Sequence, residues 1–261
     1  MKLAANLSLM YSEWQFIDRL GAAAQDGFEA VECMFPYVVQ ADQLKTVGEQ
    51  WGLDWALINA PCGDWAAGDR GLACYAHRQD EFRESIHLAA QYAQTLGVRS
   101  VHVLAGTLPL TADETVRREA WQIYQTNMAW VADNMADLPI NWLVEPINTR
   151  DVPGYLLNTQ AQAHGLVQQL NRPNLGVQMD LYHCQIVEGD VVRKLEDYLP
   201  TGRVKHIQIA GVPERHEPNR SELSYPRVFE CLKTLGYQGY VGCEYRPQAG
   251  TREGLGWRRM C

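Results

Sequence analysis

Leu143-Val144-Glu145-Pro146-Ile147-Asn148 puts a carboxylate at the end of a short apolar run, next to a proline that cannot donate to a strand ladder. The same design recurs in Val177-Gln178-Met179-Asp180, His206-Ile207-Gln208-Ile209 and Val241-Gly242-Cys243-Glu244. Each is a short apolar segment with an oxygen ligand at or near its C-terminal end. Successive ends are separated by roughly the 30 residues of one β-α unit. Four such ends meet at one point only if the strands are parallel and neighbouring, which is the geometry of an active site.

Apolar runs of strand length alternate with longer segments of helical period along the rest of the chain. Strands are expected near 3–8, 28–33, 53–59, 100–105, 140–145, 175–180, 204–210 and 239–244. Helices are expected near 12–26, 41–51, 77–96, 111–136, 158–170, 188–198 and 222–235. Gly27, Gly52, Gly97 and Gly236 stand just after helical segments, where a left-handed residue ends the helix. A doubly wound sheet places its ligand at one crevice between two strands. Here polar groups end at least six strands, so the pattern predicts a closed (β/α)8 TIM barrel. The 261 residues match the ~250 typical of that fold and show no linker, so residues 1–261 are read as a single domain.

Composition narrows the function. A formal charge of -8 leaves no concentrated Lys and Arg surface for nucleic acid. No run reaches the ~20 apolar residues of a membrane span, and the N-terminal residues do not form a secretory signal. Seven cysteines without a Cys-x-x-Cys pair point to free thiols and a reducing cytoplasm. The expected partner is a small molecule, with self-association left open.

Barrel active sites lie at the C-terminal ends of the strands. The polar residues there are Asn6, Ser8, Glu32, Asn59, His102, Glu145, Asp180, His183, Gln208 and Glu244. One such acid alone is as well explained by a helix cap. Three converging acids repel one another unless a cation lies between them. Glu145, Asp180 and Glu244 with the amide oxygen of Gln208 form an all-oxygen set suited to Mg²⁺ or Mn²⁺. His183, three residues after Asp180, is expected to contact substrate. Asn59 and His102 are further substrate-binding candidates, although strand alternation leaves the direction of His102 open. A carboxylate substrate needs a cationic clamp, and arginine offers two parallel hydrogen bonds. Arg215 is the first choice because its loop follows Gln208, with Arg246 next; His216 and Arg70 lie on neighbouring loops. The glycine-rich 63–71 loop has the character of a lid.

The chain resembles the hydroxypyruvate isomerase family, within the xylose-isomerase-like barrels. The likeness runs through Phe35-Pro36-Tyr37, Gly63-Asp64-Trp65-Ala66-Ala67-Gly68-Asp69-Arg70-Gly71, Glu145-Pro146-Ile147-Asn148 and Gln178-Met179-Asp180-Leu181-Tyr182-His183. It continues in His206-Ile207-Gln208-Ile209-Ala210, Arg215-His216-Glu217-Pro218 and Gly242-Cys243-Glu244-Tyr245-Arg246-Pro247. The resemblance implies Glu145 and Glu244 as catalytic acid/base residues, and Glu145, Asp180, Gln208 and Glu244 as metal ligands. Related sugar epimerases carry histidine in place of Gln208. The implied reaction interconverts hydroxypyruvate and tartronate semialdehyde (2-hydroxy-3-oxopropanoate) through an enediolate. A similar branch acts on 2-oxo-tetronates, and a sugar epimerase would use the same residue types. Outside this group stand an abasic-site nuclease, disfavoured by the acidic charge and few strand-end histidines, and a non-catalytic binding protein, disfavoured by the intact glutamate pair.

Overall fold

A computed structural model describes residues 1–261. Eight strands, β1 (Lys2–Asn6), β2 (Ala30–Cys33), β3 (Asp54–Asn59), β4 (Ser100–His102), β5 (Asn141–Val144), β6 (Leu175–Asp180), β7 (Val204–Ile209) and β8 (Tyr240–Cys243), close into one barrel in sequence order. Every pairing is parallel, including the β1–β8 closure. Strands buried on both faces are mostly apolar, and this is why they read as near-continuous apolar runs.

The helices are α1 (Asp18–Gln25), α2 (Ala41–Trp51), α3 (Gln79–Leu96), α4 (Glu114–Asn134), α5 (Gln160–Leu170), α6 (Leu181–Val187), α7 (Val191–Tyr198), α8 (Tyr225–Thr234) and α9 (Thr251–Gly254). In α3, Phe82, Ile86, Ala89, Ala90 and Ala93 form the buried stripe that its period predicts. Gly97 ends that helix in the left-handed region at φ 73°. Thr159 and Gln162 close a reciprocal capping box on α5. The core is one contiguous cluster of 69 buried residues shared by barrel and helices.

The eight expected strands are all present. Three helices differ from expectation, the short α9 being one that the periodic pattern does not predict. The first starts at Asp18 rather than near residue 12, because residues 12–17 form turns after Tyr11, whose backbone N–H is held by Thr251 Oγ1 at 2.7 Å. Helix α6 follows Asp180 without a loop. Its sequence continues the apolar run of β6, so hydrophobic period alone does not separate the two. The Asp180 side chain marks the junction by accepting the Tyr182 N–H at 2.8 Å.

Candidate active site

At the C-terminal end of the barrel, Asn59, His102, Glu145, His183, Arg215 and Glu244 line one cavity of ≈ 60 Å³. That is room for about four to six water-sized groups. A larger hollow of ≈ 670 Å³ opens at the other end, among strand-initial residues such as Lys2, Asp54 and Tyr240. It lacks the paired acids, and this end of such barrels serves stability rather than chemistry.

Asp180 is fully buried and reaches the same cluster, with Oδ2 at 3.6 Å from His183 Nε2 and 3.5 Å from Arg215 Nη2. Arg215 Nη2 also donates to Glu244 Oε2 at 2.9 Å. The Arg215 backbone sits at φ 60°, a left-handed conformation costing an L-residue roughly 1 kcal/mol. A hydrogen bond from its N–H to the Gly211 carbonyl, at 2.7 Å, holds it there.

Burial shifts the acids. It raises Glu145 well above the usual carboxylate range, and the nearby Glu244 and Asp180 charges push the same way. Burial brings Glu244 up to about 8 against the opposing pull of Arg215, and Asp180 up to about 6 against the same pull. His102 points inward, with Nδ1 at 3.3 Å from Glu145 Oε2, and burial pushes it down to about 3. Burial and then the Arg215 charge depress His183 well below the imidazole range.

The His183 tautomer follows from its neighbours. Asn148 Oδ1 accepts the Asp151 N–H at 2.8 Å, so its amide Nδ2 faces His183 Nδ1 at 2.6 Å. The backbone N–H of Asn148 approaches the same Nδ1 at 3.5 Å. Nδ1 is therefore the acceptor, and the proton sits on Nε2, facing Asp180 and the cavity. The chain fragment 145–148 thus supplies an acid and, through Asn148, orients a neutral histidine donor. The Asp151 contact identified Asn148; nothing in its spacing did.

Gln208 and Arg246 stand elsewhere than the sequence suggested. Gln208 lies one level below the cavity: its amide Nε2 donates to Glu32 Oε1 at 2.7 Å and its Oε1 accepts from Gln178 Nε2 at 2.6 Å. Glu32 also accepts from Asn6 Nδ2 at 2.9 Å and pairs with His206 Nε2 at 2.7 Å. This layer exists because residue 242, level with Gln208 in the ladder, is glycine. A Cβ at Gly242 would collide with the Glu32 carboxylate. Asn6 extends the layer upward by donating to Glu244 Oε1 at 3.3 Å. The Arg246 side chain is exposed; its backbone N–H holds the Arg215 carbonyl at 2.8 Å. Arg246 contributes to the site as scaffold for the loop carrying Arg215.

The donor set fits a divalent cation. Glu145, Asp180 and His183 offer ligand atoms all within 4.8 Å of one another. Glu145 Oε1 is buried with no hydrogen-bond partner, and Asp180 and Glu244 share a guanidinium, the nearest cation available. Because His183 carries its proton on Nε2, the carboxylates are the better ligands.

Around this centre stand apolar walls from Met34, Leu104, Ile147 and Val152, with Tyr155, Trp65 and Arg70 completing the cavity. A closed parallel barrel whose catalytic end gathers three buried carboxylates, a neutral histidine and an arginine around so small a space defines a barrel enzyme for a small polar molecule. A family model described as xylose isomerase-like TIM barrel matches residues 20–261, and the chain belongs to that family. It is 51% identical over 256 residues to the 2-oxo-tetronate isomerase of Cupriavidus necator, covering 98% of this chain and 96% of that protein. It is 38% identical over 260 residues to the hydroxypyruvate isomerase of Escherichia coli K12, covering 98% of each. A solved structure described as an AP endonuclease, family 2, from Brucella melitensis superposes with TM-score 0.94 at 44% identity, covering 99% of this chain and 98% of that one.

Proposed function

We propose that this isomerase moves a carbonyl one carbon along a short 2-oxo acid, with Glu145 and Glu244 exchanging the proton. The observation that carries the reading is the pair of buried carboxylates, from the ends of β5 and β8, lining one small cavity. The four-carbon 2-oxo-tetronates are the favoured substrates because the 51% identical relative carries that name. Hydroxypyruvate, converted to tartronate semialdehyde, is the three-carbon reading, supported by the 38% identical hydroxypyruvate isomerase and a 40% identical relative named putative hydroxypyruvate isomerase.

The reaction needs a base at one carbon, a donor to the next across an enediolate, and passage of the hydroxyl proton from one substrate oxygen to the other. Glu244 is the better base of the two: burial raises it, but the Arg215 guanidinium at 2.9 Å favours its charged form and limits the rise to about 8. Glu145, whose own neighbours disfavour its charge, is the better donor in the same direction. In the reverse direction the roles exchange. His183 Nε2–H faces the cavity as a neutral hydrogen-bond donor to a substrate oxygen, and Asn148 keeps it aimed. Glu145, Asp180 and Glu244 would hold Mg²⁺ or Mn²⁺, which supplies electrostatic stabilisation of the charge developing on adjacent substrate oxygens. Gln208 joins that set only by giving up Gln178, so we assign it to orientation of the layer beneath.

All 261 residues act as one domain in this reading, on a small-molecule partner. Seven free cysteines, five of them buried, suit a reducing cytoplasm, and no helix is long and apolar enough to cross a membrane. NMR of the purified protein with a 2-oxo-tetronate and then hydroxypyruvate, with and without chelator, tests the assignment. Conversion of neither acid in the presence of Mg²⁺ or Mn²⁺ rejects it; conversion of hydroxypyruvate alone selects the three-carbon reading.

A further inference from the structure

Two arginines line the cavity, and they are in opposite states. Arg215 is engaged on all sides: Nη2 with Glu244 and Asp180, Nε with the Glu244 carbonyl at 3.4 Å, and Nη1 at 3.9 Å from Asp151. Its charge is met by acids of the chain itself. Arg70 forms no ion pair. Its Nη1 donates to the carbonyls of Asp69 at 2.7 Å and Trp65 at 3.1 Å, while Nε and Nη2 have no protein acceptor. The guanidinium carbon lies over the Trp65 ring, 3.7 Å from its centroid.

That posture is fixed by the loop. Asp69 accepts the Asp64 N–H at 2.8 Å and is bridged by Arg78 at 2.8 Å. Gly71, the next residue along from Arg70, donates to the Cys62 carbonyl at 3.1 Å and bridges to Ala105 beyond β4. Phe35 backs Trp65 with ring centroids 5.4 Å apart. A preorganised guanidinium loses little rotamer freedom on binding, and two unpaired donors in its plane match a carboxylate. Arg215 is already committed to Glu244 and Asp180, so an acid substrate is directed with its carboxylate toward Arg70, on the loop after β3, and its reacting carbons toward Glu145 and Glu244.

We propose that Arg70, stacked on Trp65, binds the carboxylate of the substrate and sets the selectivity for acids over neutral sugars. The proposal rests on the acid-isomerase reading above for the choice of ligand. Arg70→Met keeps the aliphatic stem against Trp65 and removes the fork; Arg70→Lys keeps the charge but not the paired donors.

The test has two arms, both run in Mg²⁺. In the first, calorimetry measures binding of tartronate, a three-carbon diacid that cannot isomerise. Losing a charge-assisted bond should weaken it about 10- to 100-fold in Arg70→Met, with Arg70→Lys between. In the second, kcat/KM is compared for the acid substrate and for the neutral sugar of the same chain length, erythrulose for a 2-oxo-tetronate and dihydroxyacetone for hydroxypyruvate. The acid-to-neutral ratio should fall at least about tenfold in Arg70→Met, mainly through KM for the acid. Tartronate affinity within about twofold of wild type in the folded variant overturns the proposal, as does an equal loss on both substrates. Tartronate binding that depends on Arg70 without turnover of any acid would reject the isomerase reading and leave the clamp standing. Turnover indifferent to Arg70 would do the reverse, and a wild-type protein that neither binds tartronate nor turns over an acid would reject both.

Discussion

Arg215 grips Glu244 twice, by the side chain at 2.9 Å and by the backbone carbonyl at 3.4 Å, while the same guanidinium reaches Asp180 at 3.5 Å. An arginine so placed acts first on the charge of its two carboxylates. Its effect on the reaction should therefore appear in turnover more than in substrate affinity.

Arg215→Ala should accordingly lower kcat by about 10- to 100-fold, the range expected for loss of a hydrogen bond to a charged group, with a smaller rise in KM. The sequence suggested the reverse split, with Arg215 as carboxylate clamp. Steady-state kinetics on the folded variant decide between them. A large KM change at constant kcat would return the clamp to Arg215.

Glu145→Gln and Glu244→Gln each keep the volume of a buried side chain and remove its proton chemistry. Each variant should fold, as read by circular dichroism, and lose at least ~10²-fold in kcat. Activity near wild type in either one would end the two-glutamate mechanism.

Metal removal should be visible without turnover. At a hundredfold excess over Kd, a ligand bound only by the folded state adds about 2.7 kcal/mol. For a chain of this size that is roughly 5–10 °C in Tm. Mg²⁺ or Mn²⁺ should produce such a rise in chelator-treated wild type and fail to do so in Asp180→Asn. An undiminished rise in Asp180→Asn would remove Asp180 from the ligand set.

His164 reports on a part of the molecule remote from the chemistry. It stacks on Tyr198 at 3.9 Å with the rings 7° from parallel, and both ring nitrogens lack partners. Burial, with a smaller effect of Arg203, lowers it from 6.5 to about 4. The unfolded chain takes up this proton below about 6.5 while the folded chain refuses it until about 4. The linked stability is thus complete above that window and declines as pH falls through it. Denaturant melts of wild type and His164→Phe between pH 7 and about 4 should show a shallower acid decline in the variant. Parallel profiles would mean that His164 contributes nothing to acid sensitivity.

The sequence by itself determined the strands, their order and the acids at their ends. Those features are local: a buried parallel strand is mostly apolar, and a carboxylate at its end falls on the face where the strands end. Closure into a barrel followed from the polar groups that end at least six strands, since a doubly wound sheet gathers its ligand at one crevice between two strands. What each polar side chain does was decided by the tertiary structure. The ladder shifts register at Val31/Glu32 and at Val177/Gln178. Such shifts reset which side chains face inward and at what height, and no periodicity in one strand reveals them. They put Glu32 and Gln178 beside Gln208, which is why that amide is spent below the cavity instead of in it. Arg215 and Arg70 are equally polar residues on equally plausible loops. Only the fold sets one against Glu244 and Asp180 and leaves the other on Trp65 with its donors free.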